Sequence, residues 1–189
     1  HTPNDRPDTM NNVVIATPVY RNAMTEMLTC RNQVMETCVT TEIGVAEVTR
    51  MADISRARNS LINMAFSQKF VTHVYFWDSD VTTPHTGGEH GNLIDIMLAH
   101  DLPFVAGDCG ANDEIGRVGG ASMLIRRDVF DTMSTPELKY GVEQYALFLP
   151  MIHEGVYLSE DYAFCQRWFN AGGDIFVDTN IVTKHLDTL

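Results

Sequence analysis

The chain has 189 residues, 13 basic against 25 acidic side chains and a formal net charge of −12, the size of a single domain. A pI near 4.8 with no run of Lys or Arg excludes a nucleic-acid or anionic-membrane binder, because both are polyanions that need a basic patch. At 44% hydrophobic and 20% charged residues the chain can bury a real core, which excludes disorder. The first nine residues, HTPNDRPDT, read as a cloning remnant ahead of one domain spanning 10–189. Leaving out Arg6, Asp5 and Asp8 moves the charge only from −12 to −11, so the acidity belongs to the domain.

Asn12 to Thr17 is a β-branched apolar run that predicts a buried strand, followed by a helix over Met24 to Val34 and a strand over Val39 to Val48. From the N-cap Asp53, residues Ile54, Ala57, Leu61, Ile62 and Ala65 fall on one stripe at 100° per residue, which predicts an amphipathic helix. Val71 to Trp77 is a strand that stops at Asp78-Ser79-Asp80. Strand, helix, strand, helix, strand in under 80 residues predicts right-handed βαβ units, a mostly parallel sheet flanked by helices, and a ligand at the carboxyl ends of the strands.

After a polar loop come a helix at Leu93 to His100 and strands at Phe104 to Gly107 and Ala121 to Ile125. A helix from Ser159 to Ala171 ends at Gly172-Gly173, and Ile175 to Val177 is a last short strand. Cys30, Cys38, Cys109 and Cys165 form no C-x-x-C pair, so reduced thiols are expected. No stretch reaches the roughly 18 apolar residues of a membrane span. A cytoplasmic protein is the expectation.

Four places carry chemistry. Asp78 and Asp80, one residue apart at a strand exit, can share a divalent cation such as Mg²⁺ or Mn²⁺; an ordinary Asp-rich turn is the alternative. Glu160 and Asp161 open a helix whose acids also suit its dipole, and Asp161, four residues before Cys165, is the acid expected on the packed side, facing a cleft, as a proton acceptor. Arg58 falls inside the apolar stripe of its helix and needs a partner there, either a ligand phosphate or an internal carboxylate such as Glu47. His185 can complete a carboxylate metal site or be an exposed surface residue. His73, within an apolar strand, reads as a satisfied core histidine. Gly119-Gly120 allows close ligand approach or serves a turn.

The ordered set ATPVYRN (16–22), SRARN (55–59), FWDSDV (76–81), GGASMLIRRDVF (119–130), SEDYAFCQRWFNAGG (159–173) and IFVDTNIVTKH (175–185) resembles the nucleotide-sugar glycosyltransferases of the GT-A fold. The compact chain is most similar to those encoded by large chlorella viruses, which would place it in a host cytoplasm. The resemblance implies a Rossmann-like α/β fold and a divalent ion, Mn²⁺ or Mg²⁺, held by Asp78, Asp80 and His185. It also implies a nucleotide cradled by Thr17, Pro18 and Tyr20, with Glu47 and Arg58 nearby and Ser79 at the ribose. Gly119, Gly120 and Glu160 would lie beside the donor sugar, and Asp161 matches the general base of inverting members.

The implied partners are a nucleotide sugar, UDP-linked by analogy, and a glycan or glycoprotein acceptor. The chain ends four residues after His185, so acceptor binding is expected to depend on a further domain or partner. Gln166-Arg167-Trp168 matches the motif of processive synthases only loosely, so a single transfer is expected. The competing expectations are a haloacid-dehalogenase-type phosphatase using Asp78 and Asp80, or a non-catalytic nucleotide-sugar-binding module.

Overall fold

The computed structural model describes residues 11–110, 113–134 and 145–186; the expected remnant over 1–9 lies outside them. Its elements are β1 (Asn12–Val19), α1 (Thr25–Thr37), β2 (Glu42–Thr49), α2 (Ile54–Phe66), β3 (His73–Trp77), β4 (Val81–Thr82) and α3 (Leu93–Ala99). They continue as β5 (Phe104–Asp108), β6 (Ser122–Arg126), α4 (Arg127–Met133), β7 (Met151–His153), β8 (Val156–Leu158), α5 (Glu160–Asn170), β9 (Phe176–Val182) and β10 (Lys184–His185).

The central sheet has six strands in the order β2-β1-β3-β6-β5-β9. β1 pairs in parallel with β2 and β3, and β5 with β9, whereas β6 runs antiparallel to both its neighbours. Five strands therefore share one direction, and the expected α/β, mostly parallel, helix-flanked architecture is what the chain adopts.

Both faces are covered, so the inner strands are apolar without alternation. Val14 and Ala16 belong to one core cluster with Leu61, Ile62 and Ala65 of α2 and Phe164, Cys165 and Trp168 of α5. Val13 and Ile15, one position out of phase, belong to a second with Met27 and Val34 of α1 and Leu93, Ile94 and Met97 of α3. Phe148 stacks on Phe164 at 4.3 Å between centroids, and the pair joins Phe76, Phe104 and Phe130 in one aromatic cluster.

Asp53 caps α2 by accepting from Arg56 N at 3.1 Å, as its sequence predicts. Ile54, placed on the apolar stripe, is instead 39% exposed, at the first position of α2. β2 begins at Glu42 rather than Val39. The carboxylate of Asp95, in α3, accepts from Val39 N and Thr40 N at 3.1 and 3.0 Å and holds this stretch as a turn.

All four cysteines are free thiols. Among the described residues no helix is long and apolar enough to cross a membrane.

Candidate functional site

The carboxyl ends of β1, β2 and β3, together with the start of the reversed β6, form one edge of the sheet. Asp78-Ser79-Asp80 leaves β3 in a tight turn. Val81 N donates to Asp78 O at 3.2 Å, and the buried Trp77 indole donates to Val81 O at 2.9 Å, so the aromatic core fixes the turn. Ser79 O accepts from Met24 N at 3.0 Å, which ties the turn to the start of α1.

The C-terminal segment returns to this turn. β10 pairs antiparallel with β4, setting His185 opposite Val81, and Leu186 N donates to Asp80 O at 2.7 Å. His185 Nδ1 consequently stands 3.8 Å from Asp80 Oδ1, with both side chains open to solvent.

Asp78 turns the other way. Arg58 Nη2 donates to both its carboxylate oxygens, at 3.0 and 3.3 Å. Among the described residues no three His, Cys, Asp or Glu side chains converge on one point, so Asp78, Asp80 and His185 do not form a three-donor cage. Asp80 and His185 form a two-donor pair. That fits Mg²⁺ or Mn²⁺, which usually keep one or two protein ligands and take the rest from water and substrate phosphate.

Arg58 is 3% exposed and sits within 5.3 and 5.9 Å of the Phe76 and Phe148 ring centres. Besides Asp78 it serves Glu160 Oε1 from Nε at 3.3 Å and Gly120 O from Nη1 at 3.1 Å. Its partner is thus carboxylate, but not Glu47, which pairs with Arg31 of α1 instead. Burial works against its charge, yet Asp78, Glu160 and Asp161 together hold its pKa above the ordinary value. Glu160 is pushed up from the usual carboxylate range by burial and by its neighbour Asp161, with Arg58 opposing both.

The two acids of α5 take the reverse of the expected orientations. Glu160 is the buried one, drawn inward by Arg58, whereas Asp161 is half-buried at the surface of the edge. Asp161 is held by three donors: Gly120 N to Oδ2 at 3.1 Å, Tyr162 N to Oδ1 at 2.8 Å, and the Ser159 hydroxyl to Oδ1. Ser159 occupies the N-cap position but donates to Asp161 rather than capping the helix.

Gly120 lies between these groups. A Cβ there would stand 2.2 Å from Arg58 Nη2, so only glycine admits the close approach. Gly119, next to it, is also buried.

The residues the resemblance assigns to the nucleotide lie along the same edge. Thr17 and Pro18 are buried at the end of β1, and Thr17 pairs in register with Glu47. Tyr20 is 59% exposed just beyond. Sequence reasoning passed over Arg31, and also Arg117, which pairs with Asp113 at 2.6 Å and lies 5.8 Å from the Tyr162 ring centre beside Asp161. The position of Arg117 two residues before the glycine pair is the only sequence signal for it.

Two open recesses of about 500 and 370 Å³ lie at the opposite, amino edge, the first around Phe104, Trp168 and Phe176, the second around Ile43, Met64 and Phe70. Neither contains the acids of the carboxyl edge.

No family model matches the chain, and no curated protein sequence matches it. Solved structures do. A197 from STIV superposes with a TM-score of 0.61 at 13% identity, covering 95% of this chain and 87% of that one. The catalytic domain of Drosophila beta1,4-galactosyltransferase 7 in complex with xylobiose superposes at 0.56 with 16% identity, covering 94% and 71%. A mutant of the same enzyme with manganese, UDP-Gal and xylobiose gives 0.55 at 15% identity, covering 94% and 71%. At such identities the likeness establishes the fold: this chain has a GT-A-like Rossmann fold.

Proposed function

We propose that this chain is a metal-dependent glycosyltransferase that moves a sugar from a nucleoside-diphosphate donor to an acceptor hydroxyl with inversion. The observation that carries this reading is the meeting of two acidic motifs, Asp78-Ser79-Asp80 and Glu160-Asp161, at the carboxyl edge of a parallel sheet, with the Gly119-Gly120 backbone between them. The fold neighbour bound to manganese, UDP-Gal and xylobiose supports the same class of donor, ion and acceptor.

Asp80 and His185 would hold Mn²⁺ or Mg²⁺ together with diphosphate oxygens. When bound, the ion supplies Lewis-acid neutralisation of the departing diphosphate. Thr17, Pro18 and Tyr20, with Glu47, line the nucleotide end, and Ser79 lies at the ribose. Glu160 and Gly119 lie at the sugar end.

Asp161 accepts the proton of the acceptor hydroxyl as that oxygen attacks the anomeric carbon from the side opposite the diphosphate. The three donors around Asp161 fix its orientation before the acceptor arrives. An attack from the opposite side inverts the anomeric configuration. A glycan or glycoprotein is the acceptor class that follows.

The phosphatase alternative needs Asp78 as a free nucleophile, and both Asp78 oxygens are engaged by a buried arginine. The test is donor hydrolysis and transfer with a panel of nucleotide sugars, with and without Mn²⁺, and anomeric analysis of the product. Metal-dependent turnover with inversion supports the transferase. Retention removes Asp161 from its role, binding without turnover favours the binding module, and hydrolysis of simple phosphate esters favours the phosphatase.

A further inference from the structure

The sequence leaves Arg58 a choice between a ligand phosphate and an internal carboxylate, and the structure spends its guanidinium on the protein. Three different nitrogens reach three different segments: Nη2 to the Asp78 carboxylate at the exit of β3, Nη1 to the Gly120 carbonyl ahead of β6, and Nε to Glu160 in the first turn of α5. The side chain is almost wholly enclosed, between Phe76 and Phe148. Gly120 answers with its other peptide group, donating N–H to Asp161 Oδ2 at 3.1 Å.

A continuous chain of hydrogen bonds therefore runs from Asp78 through Arg58 and Gly120 to Asp161, across the width of the site. The planar guanidinium fixes the angles as well as the distances along it, which the single ammonium of a lysine does not.

We propose that Arg58 is a positioning residue, not a ligand contact: by clamping Gly120 and Glu160 it sets the Asp161 carboxylate relative to the strand-end Asp78. This rests on the transferase reading, in which Asp161 must sit across the anomeric carbon from the diphosphate. Gly120 is part of the same device, because a side chain there would displace the guanidinium. Misplacement of a reacting group by about 1 Å costs on the order of a hundredfold in rate without a matching loss of ground-state binding.

The test combines four variants with two readouts. Arg58→Lys keeps a buried cation, and Gly120→Ala keeps the arginine but forces its guanidinium out of position. Asp161→Asn marks the amide that senses Asp161. The double variant Arg58→Met/Glu160→Met removes the buried pair without leaving Glu160 unpaired, should Arg58→Lys fail to fold.

The first readout is the ¹H–¹⁵N resonance of Gly120, which is independent of activity. It should shift in Arg58→Lys and in the double variant, towards the position it takes in Asp161→Asn. The second is kinetic: kcat should fall about tenfold or more in Arg58→Lys and Gly120→Ala, with the donor KM of Arg58→Lys and the affinity of both for UDP with Mn²⁺ within about threefold of wild type.

An unmoved Gly120 resonance, or a large loss of UDP affinity with kcat preserved, overturns the positioning role and makes Arg58 a ligand contact. A wild-type chain that binds no nucleotide with Mn²⁺ overturns the transferase reading, while the Gly120 resonance still decides whether Arg58 governs this segment.

Discussion

His185, opposite Val81 in the short β4–β10 pair, stands with Nδ1 3.8 Å from Asp80 Oδ1. The pairing joins residues more than a hundred positions apart, so under the proposed function the ion site depends on where β10 docks. His185→Ala should lower the affinity for UDP in the presence of Mn²⁺ by about tenfold, in the range of single metal-ligand or outer-shell losses, and leave thermal stability without metal unchanged. Calorimetric titration of both proteins, with Mn²⁺ and with EDTA, checks this; equal affinities would remove His185 from the ion site.

Asp161→Asn preserves shape but removes the carboxylate and leaves one acceptor oxygen where Gly120 N and Tyr162 N use two. Transfer should fall about 10²- to 10⁴-fold, the usual contribution of a general base, with donor binding retained. Single-turnover transfer measured alongside UDP–Mn²⁺ affinity separates the two. A variant with near wild-type transfer would contradict the assignment.

His73 reads as a core histidine in the sequence, and the structure places it buried at the start of β3, its Nδ1 2.8 Å from Thr72 Oγ1. Burial, reinforced by the neighbouring Arg126, pushes its pKa from 6.5 down to about 4. The unfolded chain takes up this proton below about 6.5, whereas the folded one resists until about 4, so stability falls as the pH drops through that window. The loss attributable to His73 approaches roughly 3 kcal/mol at the bottom. Urea unfolding at pH 7.5 and 4.5 should show a smaller pH-dependent loss in His73→Asn than in wild type; equal losses would clear His73.

Gly173 follows α5 and packs against Trp168, whose indole donates to Asp174 O at 2.8 Å. A Cβ at this position would fall 1.9 Å from the ring. Gly173→Ala should destabilise the chain by about 1–3 kcal/mol through overpacking, visible as a melting point lower by several degrees, with nucleotide binding intact because the site lies at the other edge. An unchanged melting point would mean that the loop relaxes freely.

Local periodicity made the first half of the fold legible. β1, α2 and β3 have short-range apolar patterns strong enough to place them within a few residues, and their order implied the parallel sheet. What long-range pairing decides was not legible. Nothing in Ala121 to Ile125 distinguishes a strand that runs against its neighbours, and β9 continues past Val177 through an irregularity at Thr179 and Asn180, where the pairing with β5 jumps from Asp178 to Val182.

In the site, the acids themselves were visible, but their orientation was not. The helical spacing of Asp161 and Cys165 suggested that Asp161 turns inward. A buried arginine 102 residues earlier pulls Glu160 in instead, and that electrostatic choice overrides the periodicity of a first turn.

The acidity that opens the sequence acquires a specific meaning here. Asp78, Asp80, Glu160 and Asp161 crowd one edge, and Arg58, the buried cation that touches Asp78 and Glu160, is already bound to carboxylate. A diphosphate needs a mobile cation to approach such a surface. The direct measurement is calorimetric titration of UDP into the chain with Mn²⁺ and again with EDTA. Binding should be saturable with the ion and absent without it; equal binding in both would contradict a metal-bridged diphosphate.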